Sequence, residues 1–148
     1  KVAVIGDLIL DRYMWGDCKR VSSEAPVQII DIKKNSFVLG GCCNVAANLA
    51  SLGVQVYLYS VIANDRSGKI LKDLLIDKSI DDSNLIGDKK RKSSEKTRLN
   101  ASSQQVIRFD IEERKTISKP ISDELIDYHS GYSTSSIIAK IKKIHNDK

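Results

Sequence analysis

The apolar positions of this chain fall into two patterns, short unbroken runs and stripes at helical spacing, and their order along the sequence predicts its elements. Val2-Ala-Val-Ile5, closed by Gly6, reads as a buried strand over 2–6. Val45, Leu49 and Leu52 recur at i, i+4 and i+7, which predicts a helix over 43–52 with one buried stripe and Gly53 as its stop. A second apolar run predicts a strand over 55–61, and Ile70, Leu71, Leu74 and Leu75 predict an amphipathic helix over 67–77. Strand and helix alternating on this scale argue for a parallel sheet covered by helices. Further on, the pattern predicts a short helix over 121–127. A longer one is expected over 134–146, where Ile137, Ile138, Ile141 and Ile144 form another stripe.

Four extended segments have no helical partner: 12–18, 28–33, 94–101 and 105–111, the last two joined by Ser102-Ser103-Gln104. They do not fit a strict βαβ alternation. Strand periodicity puts Lys96 and Arg98 on one face, two residues apart, where they can hold an anion or pair with Asp110 or Glu112 across a solvated sheet. Gln105 and Arg108 carry the same two readings. The basic run Lys89-Lys-Arg-Lys92, beside Gly87-Asp88, reads as the solvated tip of a hairpin approach.

Composition narrows the function classes. The 148 residues are 41% hydrophobic and 29% charged, as in an ordinary globular protein. There is no apolar run of about 18 residues and no signal-peptide layout, so no membrane partner or secretion is expected. Three cysteines, two of them adjacent, make no disulfide framework, and reduced thiols in a cytoplasm are the simpler expectation. Cys42-Cys43, with His129 and His145 far away, lack metal-ligand spacing. The net charge of +5 comes with only 5% aromatic residues, so the stacking surface of a single-strand nucleic-acid binder is thin. Mild positive charge suits the steering of small anions such as sugar phosphates or ATP instead. Gly6 belongs to no Gly-x-Gly-x-x-Gly, which argues against a dinucleotide site.

The candidate chemistry gathers around residues 7–11 and 36–53. Gly40 and Gly41 lack Cβ atoms, so the main chain there can take positive φ and let a polyhydroxylated ligand approach its N–H groups. Asn44, in the first turn of the expected helix, both donates and accepts. A glycine-rich turn that merely starts a core helix is the competing reading. Asp7 and Asp11 follow the first strand, and ligands in open α/β sheets collect at strand carboxyl ends, where a carboxylate accepts from sugar hydroxyls. For Asp7, a turn-forming role after Gly6 stands beside that.

The run Gly6-Asp-Leu-Ile-Leu-Asp-Arg-Tyr13, the run Arg20-Val-Ser-Ser-Glu-Ala-Pro-Val27, and Gly40-Gly41-x-x-Asn44-x-Ala46 ending at Gly53 resemble the N-terminal half of ribokinase-like (PfkB-family) sugar kinases. Glu95-Lys-Thr-Arg98 and Ser103-Gln-Gln-Val-Ile-Arg-Phe-Asp110 are similar to the D-glycero-D-manno-heptose 7-phosphate kinases of the ADP-heptose pathway. The resemblance covers residues 1–113. It implies an α/β fold, a ribokinase-like parallel sheet covered by helices, with a small β-sheet lid from about 12–33 and 94–111 that closes over the sugar and pairs two subunits into a homodimer. It implies substrate contacts from Asp11, Gly40, Gly41, Asn44, Lys96, Arg98, Gln105 and Arg108, with Lys96 and Arg98 on the 7-phosphate and Arg98 as a bidentate fork.

The departures are as specific. Cys42 and Cys43 stand where the family pattern usually has a smaller residue, and Ala63 stands where it has a glycine. The second family motif, a Gly-x-Gly-Asp loop with the catalytic aspartate and anion hole, is absent from these residues. The resemblance therefore implies part of a kinase domain without its C-terminal ATP-binding half, binding no ATP or Mg²⁺ by itself, with a trimmed segment before Lys1. A non-catalytic sugar-phosphate-binding or dimerisation module is the alternative. After Asp110 the match deteriorates, because the buried strand expected before Ile126-Asp-Tyr-His-Ser-Gly131 is missing; a deletion or an omitted stretch near Asp127-Tyr128 or His129 is expected.

Overall fold

Gly6 and Asp7 interrupt the first apolar run, and there the chain leaves one sheet and enters another. In the computed structural model, which describes residues 1–101 and 104–127, β1 (Val2–Ile5) precedes this break and β2 (Leu8–Val21) follows it. β3 (Gln28–Gly41) returns antiparallel to β2 and runs straight into α1 (Cys42–Ser51). β4 (Val56–Ala63), α2 (Arg66–Asp77), β5 (Leu85–Asp88), β6 (Ser94–Ala101) and β7 (Gln104–Ile111) complete the unit Lys1–Glu113. A second unit begins at Arg114 and contains α3 (Lys119–Asp127), with Pro120 in the first turn, where its missing N–H costs no helical bond.

The strands of the first unit form two sheets. One is parallel, in the order β1-β4-β5, and the other has the order β3-β2-β6-β7, with β2 and β6 parallel and the outer pairs antiparallel. The four extended segments without helical partners thus become this second sheet. The two helices pack on strands of both sheets. Leu10, Leu58, Leu71, Leu75 and Cys43 are fully buried between them, each leucine contributing about 1.5–3 kcal/mol. Buried Ser60 donates its hydroxyl to the Gly6 carbonyl at 2.5 Å, joining β4 to the end of β1.

Several expectations need correction. The buried stripe of α1 is Cys42, Cys43 and Ala46, with Leu49 and Ala50 partly covered, whereas Val45 is 49% and Leu52 78% exposed. The helix starts one residue earlier than its periodicity suggests, and small side chains let it sit close to the sheets. On α2, Leu71 and Leu75 are buried and Ile70 and Leu74 pack beside them, as expected. Gly53, at φ 76°, follows the C-cap of α1 as the predicted stop. β2 and β3 are 14 residues each, far longer than the 12–18 and 28–33 segments, because their polar residues lie on faces that are only half covered. β5 was not visible in the sequence, since only Ile86 among its four residues is buried. The basic run from Lys89 is therefore no hairpin tip; it links strands of different sheets. The helix over 134–146, the Ser102-Ser103 turn and the segment from Tyr128 to Gly131 lie outside the described residues.

Candidate functional site

Register decides which side chains share a face of the four-stranded sheet. Asp11 stands opposite Val38 in β3 and Lys96 in β6; Tyr13 stands opposite Arg98, and β7 sets Asp110 opposite Lys96 and Arg108 opposite Arg98. Alternation along each strand then puts Asp11, Tyr13, Lys96, Arg98, Arg108 and Gly40 on one face. The other face carries Leu10, Leu39 and Thr97, all buried in the core.

On the open face, Arg98 donates from a terminal guanidinium nitrogen to Asp11 Oδ1 at 2.5 Å, an ion pair whose side chains are each about one-fifth exposed. The hydrogen bond to Asp11 raises the guanidinium further above its ordinary value. The expected site cation is thus hydrogen-bonded to the expected site carboxylate, and the charge of Asp110 on β7 adds to its stabilisation. Lys96, opposite Asp11, has no hydrogen-bond or ion-pair partner among the described residues. Arg108 is exposed and pairs with Asp110 along its own strand at 3.1 Å. Gln105 is exposed opposite Asn100.

Gly40 has a steric reason to be bare that its sequence does not show. A Cβ there would run into the Asp11 carboxylate and stand 3.2 Å from the Ile9 carbonyl, so its bareness makes room for Asp11. Gly41 does take positive φ, at 58°, and serves as the N-cap of α1. It has no side chain to cap with; instead the Cys42 N–H donates to the Asp7 carbonyl at 3.0 Å, tying the β1–β2 link to the helix start. Asp11 is not at the carboxyl end of β1, as expected, but three residues inside β2, because the strand restarts at Leu8.

Asn44 stands apart from the Asp11–Arg98 group. It is exposed on α1, its Oδ1 accepts from Asn48 Nδ2 at 3.5 Å, and with Phe37, Val38, Asn48 and Lys78 it lines a depression of about 560 Å³. Cys42 and Cys43 fit as small core residues: the hydrogen bond between the two thiols and the burial of Cys43 push the Cys43 thiol well above its ordinary value, so it stays protonated.

Two groups that the sequence names only within motifs, Glu95 and Asp65, turn out to support the site. On the core side, Glu95 accepts from Ser67 of α2 at 2.6 Å and from Thr97 at 3.1 Å, and faces Arg12 at 3.7 Å, fastening α2 under β6. Asp65 caps α2 by accepting from the Gly68 N–H at 2.7 Å and also accepts from the Ser93 N–H at 2.8 Å. Burial alone would raise its carboxyl, but these hydrogen bonds outweigh it and hold it below the ordinary value. An aspartate three residues before a glycine in the first helical turn is a capping signal legible in sequence.

The profile of pfkB family carbohydrate kinases matches residues 1–130. The chain is 44% identical to the bifunctional protein HldE of Aliarcobacter butzleri, over 98% of this chain and 34% of that protein. With the bifunctional protein HldE of Sulfurimonas denitrificans it shares 47% identity over 80% of this chain and 25% of that one. It therefore spans about a third or less of the length of these curated relatives. The first alignment runs over 161 positions, more than the chain's 148 residues, so that relative carries residues with no counterpart here. Among solved structures, the ribokinase of Arabidopsis thaliana complexed with ribose and ATP superposes with a TM-score of 0.58 at 16% identity, over 82% of this chain and 41% of that one. A carbohydrate kinase from Agrobacterium tumefaciens gives 0.58 at 18% identity, over 74% and 34%. These superpositions show the ribokinase-like fold, and with the match over residues 1–130 the chain belongs to the pfkB family of carbohydrate kinases.

Proposed function

We propose that this chain is the sugar-recognition part of an ATP-dependent kinase that phosphorylates the anomeric hydroxyl of D-glycero-D-manno-heptose 7-phosphate, toward ADP-heptose and the lipopolysaccharide core. The observation that carries the reading is the Asp11–Arg98 pair set beside the unpaired Lys96 on one open sheet face. A carboxylate fixed by an arginine accepts hydrogen bonds from sugar hydroxyls. A lysine without a partner supplies the point charge that a phosphate needs. Arg98 spends one of its five N–H donors on Asp11 and keeps others for the same phosphate. In this reading Gly40 and Gly41 border the sugar and Gln105 and Arg108 the rim, while Asn44 offers its amide from the depression on α1 rather than from the Asp11–Arg98 face. The HldE relatives and the family match support the assignment.

Phosphoryl transfer needs a base for the attacking hydroxyl and dipoles aimed at the moving phosphoryl group. The Gly-x-Gly-Asp motif that supplies both in this family is not among these residues, so we place the base, ATP and Mg²⁺ on polypeptide beyond them. Among the described residues no group of three His, Cys, Asp or Glu is placed to hold a metal ion. The four-stranded sheet would act as a lid that excludes water from the transfer. Among the described residues no helix is long and apolar enough to cross a membrane, and with three free cysteines the reading puts the enzyme in the cytoplasm.

A second reading, a binding or dimerisation module without catalysis, is favoured by β7, whose Val106, Ile107, Phe109 and Ile111 are each about half exposed. Such a strand is an aggregation hazard unless a second copy pairs with it. The full-length protein should convert heptose 7-phosphate and ATP to the 1,7-bisphosphate, followed by phosphorus NMR, and these 148 residues alone should not. Turnover by the 148 residues alone would contradict the placement of the base and ATP beyond them, and no turnover by the full-length protein would contradict the kinase reading; a concentration-independent monomer in ultracentrifugation would contradict the dimer.

A further inference from the structure

Along the open face of β2, the side chains following Asp11 form a continuous ladder. The Arg98 guanidinium lies over the Tyr13 ring at 5.1 Å, Tyr13 stacks on Trp15 with centroids 5.7 Å apart and planes 17° from parallel, and Lys34 lies over the far ring at 5.0 Å. Strand alternation produces it: Asp11, Tyr13 and Trp15 are every second residue, Arg98 is the cross-strand partner of Tyr13, and Lys34 is that of Trp15. Arg98 is therefore held at two points, by the Asp11 carboxylate at one nitrogen and by the Tyr13 ring below its central carbon.

From this we infer that Tyr13 is a positioning residue for the site: without touching the sugar, its ring fixes the Arg98 guanidinium, and through it the orientation of the Asp11 carboxylate. A guanidinium with a single hydrogen bond can rotate about it, and the carboxylate would follow. The ring beneath removes that freedom. The Trp15–Lys34 end keeps Tyr13 from turning away, since the tyrosine ring is then stacked on Trp15 as well as lying against Arg98. The inference rests on the sugar-phosphate reading of the Asp11–Arg98–Lys96 face, but it makes one claim that does not depend on it: Tyr13 couples Arg98 to Trp15.

Trp15 is the only tryptophan in the chain, so its emission reports on the ladder directly. Arg98→Ala should shift Trp15 emission in the wild-type background and leave it unchanged in a Tyr13→Leu background. In titration calorimetry with heptose 7-phosphate, Tyr13→Phe, which keeps the ring, should bind like wild type, whereas Tyr13→Leu should weaken binding about tenfold, the scale of a partly desolvated cation–π contact. Tyr13→Leu should cost nothing further once Arg98 is alanine. An unchanged emission on Arg98→Ala, or a full Tyr13→Leu penalty in the Arg98→Ala background, would overturn the inference. Failure of the wild-type protein to bind the sugar phosphate, with the emission coupling intact, would sink the substrate reading and leave the coupling standing.

Discussion

Arg98 reaches Asp11 at 2.5 Å across the parallel junction of β2 and β6, joining residues 87 positions apart in the chain. The bond forms because the two strands run in register from Ile9 opposite Ser94, which leaves Asp11 one step from Arg98 on the same face. It converts two candidate ligands into one unit, with the carboxylate oriented by the arginine. Asp11→Asn keeps the volume but removes the charged acceptor. We expect the full-length enzyme to lose about 1.5–3 kcal/mol of transition-state stabilisation, read as kcat/KM for the heptose phosphate, with far-UV circular dichroism unchanged. A loss of stability with unchanged kcat/KM would reduce Asp11 to a structural ion-pair partner.

Gly40→Ala should disturb the same unit from the neighbouring strand. The added Cβ meets the Asp11 carboxylate, which must swing away from Arg98 or push β3 from β2. The expected result is a weakened KM for the sugar with little change in KM for ATP. Gly41→Ala, at positive φ, should instead lower thermal stability through backbone strain of roughly 1 kcal/mol or more. Equal kinetics for wild type and Gly40→Ala would show that Asp11 is not held where the sugar binds.

How much of this was legible in the sequence differs from residue to residue. Lys96 and Arg98 could be assigned to one strand face because strand periodicity is local, and the positive φ of Gly41 could be read from its lack of a Cβ. That Gly40 accommodates Asp11 could not be read, since counting back from the turn misplaces the pair: the register of β2 and β3 shifts between Trp15 and Gly16 and again between Cys18 and Arg20. The stripe of α1 was misread for a related reason. Val45 and Leu52 are the larger hydrophobes, but the close approach of the helix to the sheets selects Cys42, Cys43 and Ala46 for burial. β5 escaped notice because its pairing with β4, not its own pattern, makes it a strand.

Arg98→Lys separates the two duties that the proposal gives one side chain. A lysine can meet a phosphate but cannot reproduce a planar fork that sits over Tyr13 while holding Asp11. The penalty should appear in kcat/KM with both phosphorylated and unphosphorylated heptose, and be larger with the former. A penalty confined to the phosphorylated sugar would mean that Arg98 serves the phosphate alone.

Asp65 ties stability to pH. Its folded-state carboxyl lies below the ordinary value, so its contribution is fully present above the unfolded pKa of about 3.9 and is lost as pH falls through the lower folded value. Asp65→Ala should destabilise the fold by about 0.5–2 kcal/mol at pH 7 through loss of the cap. Urea midpoints of Asp65→Asn should fall less steeply than wild type between pH 4 and pH 2, since the amide cannot titrate. Parallel acid limbs for the two proteins would remove Asp65 from the acid response.

The central claim is that the open face of the four-stranded sheet recognises a phosphorylated sugar, with Lys96 as its unpaired cation. The most direct measurement is a calorimetric titration of the full-length protein and its Lys96→Ala variant with D-glycero-D-manno-heptose 7-phosphate and with the heptose lacking that phosphate. Wild type should bind the phosphorylated sugar more tightly by about tenfold or more, on the scale of about 1.5–3 kcal/mol for a hydrogen bond to a charged group. Lys96→Ala should erase most of that difference while leaving binding of the unphosphorylated sugar nearly unchanged. Equal affinity of the wild type for the two sugars, or a Lys96→Ala variant that keeps the full preference, would contradict the account.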